Sequence, residues 1–310
     1  MNKLFTTFLG ISIAFSGFSQ PTIQAFSPQT FENFPNVRDL SITSDESEMY
    51  FTVQSVRQDF SAIMVSKKNK KGWGKPEVVP FSGQYKDIEP FLSGDGLTLY
   101  FASNRPVPDR GGEKLNYDIW KVTRSSLNSD WSAPMNLGAP VNSEADEFYP
   151  SVASSGNLYF TAQRDGTKGK EDIFIARYQN DKYLEPESIS EAVNSEGYEF
   201  NAFVSYDEQY ILFTGYGRED GLGGGDLYIS QKDDSGSWKQ AKHLGSSINS
   251  KGLDYCPYIL NGKLYLTSNR TNLKAAYDKP MNAEELVKEL NKVENGKSRI
   301  YYITANGLFD

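Results

Sequence analysis

Acidic residues recur at comparable places along this 310-residue chain: Asp39, Asp87, Glu147, Glu199 and Asp254, each shortly ahead of a strand-like pair such as Tyr50-Phe51 or Tyr100-Phe101. If the segments carrying them are arranged around an axis, the carboxylates gather at one mouth of a central channel. Such a ring suits a cation, which wants several hard oxygen ligands, or a polyhydroxylated ligand, which wants charged acceptors. The alternative is that each carboxylate satisfies backbone N–H groups or an arginine where a strand begins. We favour the latter, because a repeat keeps what every unit needs to pack.

Arginines follow the second strand-like run of four units: Arg105, Arg164, Arg218 and Arg270. In three of these an aspartate opens the next run, so structural ion pairs are expected between Arg105 and Asp118, Arg164 and Asp172, and Arg218 and Asp226, since a guanidinium matches a carboxylate bidentately. Val141-Asn142-Ser143, Val193-Asn194-Ser195 and Ile248-Asn249-Ser250 precede the acids of three units and read as turns, where Asn and Ser bond nearby backbone. The sole histidine, His243, stands where an earlier unit has Asn136, which argues against a Ser-His-Asp triad or a histidine zinc site. The Gly221 to Asp226 run reads as a flexible loop between strands rather than a phosphate cradle opening a helix. No catalytic residue, metal site or cofactor is expected.

The elements that position these residues repeat. The pairs Tyr50-Phe51, Tyr100-Phe101, Tyr159-Phe160, Leu212-Phe213 and Tyr265-Leu266 lie 50, 59, 53 and 53 residues apart, each in a short run bounded by turn residues. Third strands begin near Ala62, Asp118, Asp172, Asp226 and Arg299. Fourth strands are announced by Trp73, Trp131, Tyr183 and Trp238, with Pro76, Pro134 and Pro186 three residues after the first three. A period near fifty with four strands per unit predicts an all-β, five-bladed propeller. The last unit lacks a fourth strand, so Thr22–Phe31 is expected to close it. A helix is predicted within the Thr271–Ser298 insertion, with a capping box at Asn282 and Glu285 and a stripe of Leu286, Leu290 and Val293 packed on the propeller.

The run DIEPFLSGDGLTLYFASNR followed by YDIW resembles the WD-like propeller repeat of the TolB type, over nearly all of the chain after its leader. The first copy departs from it, with Gln54-Ser55 and Ser61-Ala62 in place of the Asn-Arg and Asp. The resemblance implies the fold. It says less about role, since this repeat occurs in periplasmic translocation proteins, peptidase propellers and other exported bacterial proteins.

Residues 1–19 read as a secretory signal peptide: Lys3, an apolar stretch from Leu4 to Phe15, then Gly17 and Ser19. Residues 20–310 would form one propeller domain, periplasmic or secreted, with no membrane span. One cysteine, Cys256, allows no internal disulfide. A net charge of −8 and the lack of a basic stripe with interleaved aromatics argue against nucleic acid. The expected function is non-catalytic binding of a protein or cell-envelope component through the long-loop face, made by Pro106 to Asn116, Tyr216 to Gly225 and Thr271 to Ser298. The rival is a glycan-binding or glycoside-hydrolysing propeller using carboxylates at the channel. Hydrolysis needs two carboxylates in unlike environments, whereas a repeat supplies near-equivalents.

Overall fold

The computed structural model describes residues 22–107, 116–305 and 307–308; the expected signal peptide and residues 108–115 of the first long loop lie outside these. The chain forms five antiparallel sheets arranged as propeller blades. Blade one runs outward through Asn36–Ile42, Glu48–Gln54, Ser61–Asn69 and Glu77–Val78. Blade two uses Asp87–Leu92, Thr98–Ser103, Asp118–Thr123 and Met135–Asn136. Blade three uses Glu147–Val152, Leu158–Ala162, Asp172–Ala176 and Glu187–Ser188. Blade four uses Tyr198–Val204, Tyr210–Tyr216, Asp226–Gln231 and Lys242–His243. Blade five comprises Asp254–Leu260, Lys263–Ser268 and Arg299–Thr304, and its outermost strand is Gln24–Ala25 from the other end of the chain.

The core lies between blades rather than inside any one of them. Tyr50 and Ile63 of blade one pack with Leu99, Phe101 and Trp120 of blade two. Ile88 and Ile119 of blade two meet Phe160 and Phe174 of blade three. Strands that are apolar on both faces are what this stacking demands, and the second strands are accordingly buried almost throughout.

The outer strands are shorter than the sequence suggests, and in blades one to three each begins after the proline instead of at the aromatic. Pro76 precedes Glu77–Val78, Pro134 precedes Met135–Asn136 and Pro186 precedes Glu187–Ser188. A residue without an N–H cannot donate to the ladder, so pairing starts one residue later. Trp73 and Tyr183 sit instead in two-residue hairpins that continue the third strand.

Closure of the ring uses less strand and more side chain than Thr22–Phe31 implies. Only Gln24–Ala25 pairs with the last blade; Pro28–Phe31 turns into a helix that drives Phe31 into the core, 1% exposed and 4.9 Å from the Phe51 ring of blade one. A second difference concerns the inserted helix, Ala283–Leu290. Its capping box forms as predicted, yet Leu286, Val287 and Leu290 are about half exposed, and only Val293 beyond it packs on the propeller. The Thr271–Asn295 bridge closes the insertion on itself at its base, beside the Gly296 N–H bond to the Arg270 carbonyl.

If Phe31 locks the ring, Phe31→Ala should lower stability by about 3–5 kcal/mol in chemical denaturation, the range for emptying a buried phenylalanine site. A loss under about 1 kcal/mol, the size of an ordinary substitution, would show that closure rests on the Gln24–Ala25 pairing alone.

Candidate functional site

Strand register separates the five acids into two classes. In blades two to five the leading acid pairs with the end of the second strand: Asp87 opposite Ser103, Glu147 opposite Ala162, Glu199 opposite Gly215 and Asp254 opposite Ser268. The corresponding residue of blade one is Val37, opposite Val53, and not Asp39. The expected ring therefore contains four members, with Asp39 belonging elsewhere. The miscount arises because the Asn261-Gly262 turn of blade five is shorter than the others, and only there does a short offset from the second strand mark the leading acid.

Each leading acid is fully buried, and in blades two, four and five it is held by the arginine of its own blade. Arg105 Nη2 reaches Asp87 at 2.6 Å, Arg218 Nη2 reaches Glu199 at 2.8 Å and Arg270 Nη2 reaches Asp254 at 2.7 Å, while Arg164 stands 4.0 Å from Glu147. The expected pairing of Arg105, Arg164 and Arg218 with Asp118, Asp172 and Asp226 is thus corrected. Asp118 accepts from Asn136 Nδ2 of the fourth strand, while Asp172 and Asp226 serve the loops that lead into them, accepting from the Lys168 and Gly169 N–H groups and from those of Leu222 and Gly223. The glycine run before Asp226 follows from crowding, not flexibility. A Cβ on Gly223 would sit 2.3 Å from the Gly252 carbonyl oxygen.

The Asn-Ser pairs reach further than turns. Asn142, Asn194 and Asn249 each accept from and donate to one residue of the preceding blade's third strand: Ile119, Ile173 and Leu227. The serines that follow, Ser143, Ser195 and Ser250, donate N–H and hydroxyl to the next blade's leading acid. Ser82 does both jobs between blades one and two. His243 stands in for Asn136: its Nδ1 accepts from Gly245 N and its Nε2 lies 2.9 Å from Asn249, so its role is structural.

None of the leading acids lines the cavity at either mouth of the channel. Two members of a different ring, Glu89 and Asn201, do, and counting along the sequence does not find that ring. Every inner strand carries a bulge, and at each bulge one residue adopts a positive φ: Asp39 (60°), Glu89 (63°), Tyr149 (48°), Asn201 (51°) and Cys256 (52°). Holding a non-glycine residue there costs about 1–3 kcal/mol, and the bulge re-aims its side chain. These five converge on the axis. Asn201 Nδ2 donates to Glu89 Oε1 at 3.2 Å and the Tyr149 hydroxyl donates to the Pro257 carbonyl at 3.1 Å, contacts between blades that are not neighbours in the ring.

Around them is a compact charged plug. Arg38 donates through Nε to Asp39 Oδ1 at 2.6 Å and through Nη2 to Glu89 Oε1 at 2.7 Å, with its guanidinium 5.0 Å from the Tyr255 ring centre. The Cys256 thiol donates to Asp39 at 2.7 Å, and burial pushes its pKa well above the ordinary value. Glu89 Oε2 accepts from the Tyr149 N–H at 2.7 Å. Burial raises the Glu89 pKa to about 7, with Asp39 adding to the rise and Arg38 opposing it.

Above the plug, on the long-loop side, is a cavity of about 220 Å³. Arg38, Glu89 and Asn201 form its floor, Phe148, Phe200 and Tyr255 its aromatic walls, and Glu171 joins them from the start of blade three's third strand. The opposite mouth is apolar, a cavity of about 340 Å³ walled by Phe91, Phe203 and Tyr258 with Tyr206 lying against Gly94.

No family model matches the chain, and no curated protein matches it. Among solved structures it is similar to a glycoside hydrolase, with TM-score 0.55 and 9% identity over 94% of this chain and 92% of that one. It is also similar to an arabinanase of Bacillus subtilis, with TM-score 0.50 and 13% identity over 86% and 93%. TolB from Acinetobacter baumannii aligns with TM-score 0.44 and 15% identity over 86% of this chain, which spans 54% of the TolB chain.

Two outcomes test this account of the carboxylates. Because protein groups already hold each leading acid, millimolar calcium should leave the melting temperature unchanged; a rise abolished by Glu147→Gln with Glu199→Gln would show a cation among them. Glu147 is the least compensated, and burial raises its pKa to about 7. A carboxyl that binds its proton more tightly folded than unfolded stabilises at low pH and loses that contribution as pH rises from the ordinary glutamate range through 7. Melting temperature should therefore climb from pH 8 to pH 5.5, less steeply in Glu147→Gln, and an identical slope in the variant would refute the assignment. The likeness to these solved structures, at such low identity, establishes the propeller fold and nothing finer.

Proposed function

We propose that the protein is an exported, non-catalytic propeller that binds a cell-envelope component, with the long-loop mouth of its channel as the contact site. The observation that carries this reading is the cavity itself, where aromatic walls stand over a polar floor whose groups already hold one another. Rigid aromatic and polar surfaces of this kind suit a ligand group that is bound without being transformed. A carboxylate acting as nucleophile or general acid must turn an oxygen toward substrate. Asp39 is 1% exposed beneath Arg38 and takes bonds from Arg38, Cys256 and the Glu89 N–H; Glu89 accepts on both oxygens. The export half of the proposal rests on the charged, then apolar, then small-residue order of residues 1–19.

Glycoside hydrolysis is the second reading. It is favoured by the unequal environments of Glu89 and Glu171 on one cavity, and by the arabinanase and glycoside hydrolase that share the fold.

A photo-crosslinking residue placed in cells at Tyr198, beside the polar mouth, should capture an envelope component that the same probe at Tyr206, on the apolar mouth, does not. Capture should fall when Phe200 and Asn201 are replaced by alanine. Equal capture from both faces would overturn the assignment of the face. Turnover of an oligosaccharide by the purified protein, lost on Glu89→Gln or Glu171→Gln, would replace binding by catalysis.

A further inference from the structure

Among the described residues that line the polar mouth, every charged group except one is committed within the protein. Arg38 is held by Asp39 and Glu89 and lies over Tyr255, so its charge is neutralised before any ligand arrives. Glu89 has donors on both oxygens. Glu171 differs: no hydrogen bond or ion pair holds its carboxylate among the described residues, although it lines the cavity and is half-buried. Its place is set by its main chain, whose carbonyl accepts the Glu199 N–H at 3.0 Å, so the side chain is presented from a fixed strand start. Burial raises its pKa, and the nearby Asp146 adds to that rise, which marks a site short of positive charge.

From this juxtaposition we propose that the mouth takes an organic ammonium group, with Glu171 as its counter-ion and the Phe148 and Phe200 rings as its walls. The proposal rests on reading the mouth as a binding site and names the chemistry of what enters. A half-buried carboxylate without a partner is costly, and a bound cation offsets that cost. An ammonium also gains from the faces of aromatic rings, most where water is excluded. A hard metal ion fits poorly, since it asks for six or more oxygens and Glu171 has two, with its neighbours already engaged. Among the described residues no group of three potential metal ligands clusters here or elsewhere. An anion would face both Glu171 and Glu89, and a neutral sugar would leave Glu171 as it is. The cavity, about 220 Å³, has room for a single small head group, of the kind carried by an amino sugar or by a lysine side chain.

Matched pairs of ligands separate charge from shape. Titration calorimetry on the protein would compare glucosamine with glucose, and Nα-acetyl-lysinamide with its Nε-acetylated form; the two pairs distinguish a sugar source from a peptide source. The charged member of at least one pair should bind about tenfold more tightly than its neutral twin, as expected for one charge-assisted contact. Glu171→Gln, which keeps the shape, should erase that difference, while Glu77→Gln on the exposed outer strand of blade one should preserve it. Equal binding of the twins, binding by neither member of either pair at millimolar concentration, or a difference that survives Glu171→Gln would each overturn the proposal. Equal binding of the twins in both pairs would remove the ammonium and leave the mouth as a binding site. Failure of crosslinking at Tyr198 would instead strike at the site itself, so the two ideas fail separately.

Discussion

A carboxylate buried at the start of an inner strand is the constraint around which this propeller is built. Moving such a charge out of water costs several kcal/mol, and the fold persists only where partners are supplied. Blades two, four and five supply one from within, the arginine that ends the second strand, with Arg164 of blade three 4.0 Å from its acid. The crossover from the blade before supplies a serine hydroxyl, joined by the serine's own N–H in blades three to five. The asparagine ahead of that serine grips the preceding blade's third strand, except at Ser82, which does both. Blade-to-blade coupling is therefore polar where the chain crosses over and apolar in the layers between sheets. The carboxylate is where the two blades and the crossover meet.

Blade one shows what happens without the acid. Val37 occupies the leading position, and the arginine that follows this blade's second strand, Arg57, is exposed in the loop instead of turned inward. The buried pair is missing as a unit because neither charge tolerates burial alone. In their place, the junction with blade five is made by main chain and amide: Val37 N donates to the Ser298 carbonyl, and Asn36 Oδ1 accepts from Ser298 N. The Phe31 plug lies at this same seam, where the chain ends must be joined without the latch used elsewhere.

The bulges turn a repeating scaffold into an asymmetric centre. Backbone geometry is alike in all five inner strands, yet the residues it aims at the axis are Asp, Glu, Tyr, Asn and Cys. A repeat that keeps its latches uniform is thus free to vary the side chains on the axis. The two mouths differ for the same reason: residues beside the strand starts surround the charged plug, and residues beside the inner hairpins surround Phe91, Phe203 and Tyr258.

The period of the aromatic pairs determined the all-β class, the number of blades and the need for an N-terminal strand, because strand alternation and turn residues are local signals. The capping box of the inserted helix was legible for the same reason, and so was the exchange of Asn136 for His243. Three features were decided only in three dimensions. Ser103 lies in register with both Asp87 and Asp118, and Arg105 takes Asp87 because its side chain, held by Ser103 Oγ and the Phe81 carbonyl, is turned toward the inner strand, a direction that distance along the chain conceals. Leu286 and Leu290 are apolar at helical spacing, but that spacing does not say whether a sheet lies within reach. The axial ring of Asp39, Glu89, Tyr149, Asn201 and Cys256 shares no residue type, and its members are recognised as equivalent only through the register shift that gives each a positive φ.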